Sequence, residues 1–181
     1  MSSSAIEWDP PAASGQFADS PVLQLFVIAD FPTMTGSSDV FAPPSDKQTN
    51  HWYSFFATAD DSSIQVDPSL GNGNRLSLTL APKRNLSTEH SARCFEFRPN
   101  GLTTKKFLEC IIEAGYDRYK FVASGQGCRY WVAHVLKLLE QKGYLNSVDV
   151  AVDATNVVWD SNGNPVPQNA QSSTEKGSFL R

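Results

Sequence analysis

Basic clusters, paired cysteines and long hydrophobic runs are all missing from this sequence. Its 15 Lys and Arg residues against 19 Asp and Glu residues give a net charge of −4, and no basic run is longer than two residues. We therefore expect neither nucleic acid nor an anionic membrane surface as a partner. The longest apolar candidate, residues 22–29, is far shorter than the roughly 20 residues of a membrane-spanning helix.

Cysteine is scarce as well. The three cysteines, Cys94, Cys110 and Cys128, are odd in number and widely spaced, without the C-x-x-C pairs of zinc ribbons or dithiol redox sites. Residues 1–20 are rich in Ser, Ala and Pro and lack the basic and apolar regions of a signal peptide. These features predict a cytoplasmic protein in a reducing compartment, and none of them indicates a cofactor.

The periodicity of the chain predicts a single α+β domain over residues 21–181, after a flexible arm over residues 1–20 and with a loop-rich segment at 160–181. Five to six strands should form a mainly antiparallel sheet packed against two helices. The strongest strand patterns are residues 22–29, 50–58, 63–67, 75–80 and 93–98, with weaker ones at 117–121, 148–152 and 156–159. The helices are predicted from Thr103 or Thr104 to Gly115, and over residues 127–142.

Cys128 stands where a glycine-bearing loop, Ser124–Gly127, becomes the second of these helices. A thiol in the first turn of a helix is close to unpaired backbone N–H groups and to the positive end of the helix dipole, and both favour the thiolate. The position predicts a nucleophile. An alternative is that Cys128 simply packs, because it lies on the apolar stripe of its helix and free cysteines are among the most buried residues.

A nucleophilic cysteine needs a base, and the sequence offers three histidines. His134 is six positions after Cys128 and points to another side of the same helix, while His90 lies in a polar connection. His51 opens an aromatic strand and shares an inward-facing side of the sheet with Tyr53. A histidine is uncommon at such a position unless its ring has a specific partner. A hairpin of residues 50–58 and 63–67 brings Asp67 towards His51, so that Asp67 would orient the ring.

Further residues complete the predicted site. Gln126 would donate a side-chain N–H to an oxyanion, together with the backbone N–H of Cys128, although an ordinary loop role is equally open for it. Gln65 shares the face of Asp67 and is a substitute for it or a substrate contact. Aromatic residues near the two key positions predict a substrate pocket lined by Trp52, Tyr130 and Trp131, although such residues are more often core.

The order of these segments resembles a known group of enzymes. Asn50-His51-Trp52 on an early strand, an antiparallel meander, and then Gly127-Cys128-Arg129-Tyr130-Trp131 opening a helix are similar to the circularly permuted papain-like proteins. That group includes lecithin retinol acyltransferase-like enzymes and permuted relatives of cell-wall peptidases. The same two segments also resemble an uncharacterised family of fungal proteins. The resemblance implies a thiol hydrolase or acyl/amide transferase with Cys128 and His51 at its centre, acting on an amide, ester or thioester.

Two other interpretations follow from the same residues. One is a non-catalytic module that binds a small molecule or a protein in the aromatic pocket, without a perturbed thiol. The other is a metal site built from His51, His90, Cys94 and Cys128. The fold would have to bring these four side chains together, and no spacing in the sequence suggests that it does. We therefore predict no metal, a small-molecule or peptide substrate, and a covalent mechanism through a thioester.

Overall fold

The computed structural model describes residues 5–34, 47–84, 88, 91–122 and 126–180. Its elements, in chain order, are β1 (Ile6–Trp8), α1 (Ala13–Phe17), β2 (Gln24–Asp30), β3 (Thr33–Met34), β4 (Gln48–Thr49), β5 (Trp52–Ala59), β6 (Ser62–Leu70), β7 (Leu76–Lys83), β8 (Ser91–Phe97), α2 (Thr104–Glu113), β9 (Tyr119–Lys120), α3 (Cys128–Gln141), α4 (Asp149–Ala154) and β10 (Ser178–Phe179). The predicted α+β class is confirmed.

Alternating apolar residues build a six-stranded sheet in the order β1-β7-β6-β5-β2-β8. Five of the strands pair antiparallel, as predicted, whereas β1 adds to β7 in parallel and makes the sheet mixed. The buried faces of the central strands contribute side chains such as Val27, Phe56 and Leu80, none of which is exposed to solvent. Burying this surface in one continuous core is the main stabilising contribution of the fold.

The two long helices begin and end where the sequence predicts. Thr103 caps α2, since its hydroxyl accepts a hydrogen bond from the Lys106 N–H at 3.2 Å, and Gly115 follows the helix with a left-handed φ of 72°. Helix α3 packs its apolar stripe, including Val132 and Leu139, against the sheet core. This packing fixes the first residue of α3, Cys128, near the start of β5.

Several predictions about the chain are wrong, and one of them is the weak strand at residues 156–159, where only an isolated bridge joins Trp159 to Pro165. Residues 5–20 are not a flexible arm, because Ile6–Trp8 pair with β7 and α1 covers the same edge of the sheet. Residues 148–152 do not form a strand, because Asp149–Ala154 form α4 and bury Ala151 and Ala154. The described residues therefore contain four helices instead of two.

The C-terminal segment crosses the protein next to α3 and docks on it. Its last strand, β10, pairs antiparallel with β9, and the Phe179 ring stacks on Tyr116 at 4.4 Å between ring centroids. Residues 177–180 therefore dock back onto the domain. Residues 160–177 are mainly loop, as predicted, apart from a single 3₁₀ turn at Gln168–Ala170.

No helix in the described part of the chain is long and apolar enough to cross a membrane.

Candidate active site

Cys128 is the first residue of α3, preceded by a glycine that has an unusual backbone. Gly127 has φ 143° and ψ −7° and contributes no capping side chain, and no described side chain caps the first turn. The first N–H groups of the helix are therefore directed at the region around the thiol, with the positive end of the helix dipole behind them. This environment favours a negative charge on the Cys128 sulfur.

His51 contacts both the thiol and a carboxylate. Its Nε2 atom lies 2.7 Å from Oδ1 of Asp67, and its ring also hydrogen-bonds to Cys128. Because Nε2 is occupied by Asp67, the contact with Cys128 falls to Nδ1. The three side chains form a continuous chain of thiol, imidazole and carboxylate, which is the arrangement that nucleophilic catalysis requires.

The register of the β5–β6 hairpin explains why Asp67 reaches His51. Ser54 pairs with Val66, so the next step of the ladder places Tyr53 beside Asp67 and His51 diagonally across from it. The His51 ring also stacks on Tyr53, with 5.9 Å between the centroids. The predicted contact between His51 and Asp67 is therefore present, and two neighbouring strands hold the imidazole in place.

The charges of this pair are shifted towards a thiolate and an imidazolium. Burial opposes a charge on His51, but hydrogen bonds with Asp67 and Cys128 outweigh it and raise the pKa of His51 to about 10. Burial likewise opposes ionisation of Cys128, but the His51 hydrogen bond and charge lower the pKa of this thiol below its ordinary value. Each group stabilises the charged form of the other.

Two further groups lower the pKa of the Cys128 thiol. The backbone N–H of Trp52, at the start of β5, donates a hydrogen bond to the sulfur. The guanidinium of Arg129, the next residue of the helix, adds a positive charge nearby. The sulfur is therefore stabilised as an anion from the sheet, from the imidazole and from its own helix.

A small cleft opens beside the thiol, with a volume of about 200 Å³. It is lined by Thr33, Thr49, Asn50, His51, Gln126, Gly127, Cys128, Arg129 and Glu175. This volume is below the ~300–1,000 Å³ of sites that take drug-sized ligands. The cleft suits a group about as large as one amino-acid side chain, and larger parts of a substrate would lie outside it.

Only part of the predicted site lines this cleft. Cys128, His51 and Gln126 do, and Asp67 supports it through His51. Trp52 and Trp131 do not, because both are fully or almost fully buried in the core, where the Trp131 indole donates to the Tyr116 carbonyl at 3.0 Å. The prediction of an aromatic pocket at the thiol is wrong for these residues.

The remaining two predicted substrate contacts lie elsewhere. Tyr130 is absent from the cleft lining and packs against His134, with 4.1 Å between the ring centroids. Gln65 stands opposite Phe55 on β6, also outside the lining. The described residues contain no cluster of three or more potential metal ligands, and His90 of the alternative metal site lies outside the described residues.

Arg129 is a member of the site that the sequence interpretation missed. Only 4 % of this residue is exposed, and its Nη2 atom donates to the Ser172 carbonyl and hydroxyl and to the Ser173 carbonyl, at 2.7–3.1 Å. Its Nη1 atom has no hydrogen-bond partner among the described residues. A buried arginine held by a distant loop leaves no pattern in the sequence, because its partners lie over 40 positions away.

Asn50 is a second missed member, and it has a structural role. This residue is fully buried, and its side chain exchanges hydrogen bonds with the backbone of Trp159 at 2.8 and 2.9 Å while donating to the Asp30 carbonyl at 2.8 Å. These bonds fix the residue directly before His51. The sequence feature that could have identified Asn50 is its position directly before a histidine, at the start of a buried strand.

Tyr119 connects the loop before Cys128 to the C-terminal segment. Its buried hydroxyl donates to the Gly127 carbonyl at 3.1 Å and accepts from the Gly177 N–H at 2.9 Å. Both glycines pack closely on this ring, since a Cβ added at Gly127 would lie 2.7 Å from the hydroxyl oxygen. The position of the thiol therefore depends on this tyrosine and on the segment that leads to β10.

We expect Gly127→Ala to destabilise the protein and to displace Cys128. The new Cβ would meet the Tyr119 hydroxyl at 2.7 Å, and φ 143° lies in a region that L-residues rarely adopt. Such strain costs about 1–3 kcal/mol of the free energy of unfolding, measured by urea denaturation. Gly15→Ala is the matched control, because its Cβ meets nothing within 4 Å. Equal stability of both variants would contradict this account of the loop.

We expect a large loss of stability from Arg129→Met. The substitution leaves the Ser172 and Ser173 carbonyls without their buried donor, and losing these charge-assisted bonds costs about 3 kcal/mol of the free energy of unfolding. Arg98→Met, at an exposed arginine, serves as the control in the same urea titration. An unchanged midpoint for Arg129→Met would show that the guanidinium does not anchor this segment.

Comparisons with known proteins place the chain in a family. No curated protein and no solved structure matches the sequence. A family model described as a domain of unknown function, DUF7770, matches residues 33–180, which is most of the chain and includes every residue of the thiol–imidazole–carboxylate chain. The protein therefore belongs to the DUF7770 family.

Proposed function

We propose that the protein is a cysteine-dependent hydrolase or acyl/amide transferase that works through a covalent thioester. The observation that carries this proposal is the position of His51 between the Cys128 thiol and the Asp67 carboxylate. A structural cysteine needs neither an imidazole nor a carboxylate behind it, whereas a nucleophilic cysteine is activated by an adjacent base that a third group orients. The permuted papain-like resemblance of the two segments agrees with this proposal.

In the first step, the Cys128 thiolate attacks the carbonyl carbon of an amide, ester or thioester. The carbonyl π electrons move to its oxygen, which the backbone N–H of Cys128 and the side chain of Gln126, both residues of the cleft lining, would stabilise. The His51 imidazolium then protonates the leaving amine, alcohol or thiol as the bond to it breaks. The acyl group remains on Cys128 as a thioester, and His51 is neutral.

In the second step, neutral His51 removes a proton from water or from an acceptor amine, which attacks the thioester carbon. Collapse of the second tetrahedral species expels the Cys128 thiolate and releases the acid or the new amide. Asp67 holds the ring so that Nδ1 faces the sulfur throughout and stabilises the imidazolium. A small molecule or a peptide suits this cleft, which admits one small group and leaves larger parts of the substrate outside.

The alternative of a non-catalytic binding module rested on an aromatic pocket. Trp52 and Trp131 are buried in the core instead, and the cleft has mainly polar and charged residues. This lining favours the chemical function over aromatic ligand binding. The free thiols Cys94, Cys110 and Cys128 suit a reducing compartment such as the cytoplasm.

Mass spectrometry of the intact protein tests the proposal directly. After brief mixing with p-nitrophenyl acetate, the wild type is expected to gain one acetyl group, which peptide mapping places on Cys128. Cys94→Ser serves as the control and should acetylate equally, because Cys94 lies on the outer strand β8. Acetylation spread evenly over Cys94 and Cys128, or none on Cys128, would overturn the proposal.

A further inference from the structure

We infer that Glu175 is a specificity-determining residue that selects substrates bearing a cationic group, such as a primary ammonium, close to the carbonyl that Cys128 attacks. The inference rests on the proposed function, since it concerns the same cleft. Glu175 lines this cleft together with Cys128, His51 and Arg129. It comes from the C-terminal loop, 47 positions after the thiol, and no sequence motif connects the two.

The backbone around Glu175 is anchored on both sides. Two positions before it, the Ser173 carbonyl accepts a hydrogen bond from Arg129 Nη2 at 2.7 Å, and two positions after it, the Gly177 N–H donates to the Tyr119 hydroxyl at 2.9 Å. Both anchoring side chains are buried. Glu175 is therefore held at the cleft by groups that also support the Cys128 loop, as a binding residue should be.

The carboxylate itself has one fixed and one available oxygen. Oε1 of Glu175 accepts from the Ser173 hydroxyl at 2.5 Å, and Oε2 has no hydrogen-bond partner within the described ranges. Of the ion pairs formed by described residues, none includes Glu175, so Arg129 lies beyond ion-pair distance of its carboxylate. The charge of Arg129 still acts on Glu175 from beyond this distance, but a half-buried carboxylate without a direct ion pair is suited to take a cation from a ligand.

The charge balance of the cleft lining, taken together with Asp67 behind His51, also favours a cation. His51 and Arg129 are positive, while the Cys128 thiolate, Asp67 and Glu175 are negative, so these five groups carry one net negative charge. Without Glu175, the other four groups would carry no net charge. The Thr33 and Thr49 hydroxyls in the lining add neutral acceptors for an ammonium group. The cleft volume of about 200 Å³ accommodates a short aliphatic amine.

Three methanethiosulfonates of different charge test this inference without knowledge of the natural substrate. The aminoethyl reagent is cationic, the methyl reagent neutral and the sulfonatoethyl reagent anionic. In each case the thiolate attacks the thioalkyl sulfur of the reagent, a mixed disulfide with Cys128 forms, and methanesulfinate leaves with the electron pair of the broken S–S bond. Mass spectrometry separates the rate at Cys128 from the rate at Cys94, which is exposed on β8 and does not line the cleft.

We expect the ratio of the cationic to the anionic rate at Cys128 to fall about fivefold or more in Glu175→Gln, because one nearby charge is removed. The neutral reagent measures the basal reactivity of Cys128 in each variant, and the rates of the two charged reagents are divided by its rate. Glu175→Asp should keep the preference. Glu109→Gln, at an exposed position on α2, removes the same charge elsewhere and should leave the ratio unchanged.

An unchanged ratio at Cys128 in Glu175→Gln, or a wild-type preference for the anionic reagent, would overturn the inference. The second result would indicate that Arg129 dominates the cleft and selects an anion. Failure of the proposed function has a different signature, namely a neutral reagent that reacts with Cys128 no faster than with Cys94 near neutral pH. The two failures are therefore distinguishable within one set of measurements.

Discussion

Cys128→Ala is expected to abolish turnover of p-nitrophenyl acetate, with a loss of about 10⁴-fold or more in kcat/KM. The reason is that the sulfur supplies the only covalent intermediate of the proposed mechanism, so alanine leaves nothing to acylate. A spectrophotometric assay of p-nitrophenol release measures the loss. The variant should keep its fold, because the small thiol side chain contributes little to the core.

Cys110→Ala is the matched control for this experiment, since Cys110 is a free and more deeply buried thiol on α2. That variant should lose some stability through the cavity it creates, and keep its activity per folded molecule. If Cys128→Ala retained more than about a tenth of the wild-type rate, the thiol would not be the nucleophile.

His51→Ala is expected to lower kcat/KM by about 10³-fold. The variant loses the proton donor for the leaving group and the positive charge that stabilises the thiolate, so both steps of the mechanism become slower. The same spectrophotometric assay applies, with urea titration to verify that β5 still pairs with β6. His134→Ala provides a control at a histidine outside the cleft lining.

Addition of free imidazole should restore part of the activity of His51→Ala, because it can enter the space left by the side chain. It should have no effect on Cys128→Ala. A His51→Ala enzyme with nearly wild-type activity would mean that the imidazole has only a structural role beside Asp67.

The sequence was informative where local chemistry decides the structure. Alternation of apolar residues on either side of Asp60-Asp61 defines the β5–β6 hairpin, and the two-residue period on each strand then puts His51 and Asp67 on one face. In the same way Thr103 and Gly115 mark the ends of α2. Nothing beyond neighbouring residues and one hairpin register was needed for these predictions.

Sequence patterns did not predict the parts of the structure that depend on contacts between distant residues. Ile6–Trp8 form too short a strand for periodicity to reveal, and they are ordered by the edge of β7. The β-branched residues around Val150 suggested a strand, but packing of Ala151 and Ala154 next to α3 selects the helix. Arg129 and Glu175 join the site through contacts between α3 and the C-terminal loop, which leave no local pattern.

The aromatic residues near the key positions were misleading for a related reason. Trp52 follows His51 on a strand, so it points to the opposite face, which is the core. Trp131 is three positions after Cys128 on the helix, where the apolar stripe turns inwards. Proximity in sequence to a predicted catalytic residue therefore indicated burial, and other segments form the walls of the cleft.

The pH dependence of Cys128 alkylation by iodoacetamide tests the central claim most directly. Desolvation raises the pKa of the Cys94 and Cys110 thiols, whereas the pKa of Cys128 is lowered, so the three sites can be compared within one sample by mass spectrometry. We predict that Cys128 ionises at a lower pH than Cys94 and Cys110, so that at about pH 7 it reacts as a thiolate while the other two thiols are protonated.

The wild type should therefore alkylate faster at Cys128 than at the other two thiols at that pH, while His51→Ala should lose this advantage there and regain reactivity as the pH rises. The rate in the wild type should change again as His51 loses its proton at a pKa of about 10. If Cys128 instead titrated together with Cys94 and Cys110, and His51→Ala made no difference, the protein would contain no thiolate–imidazolium pair and the proposed chemistry would be wrong.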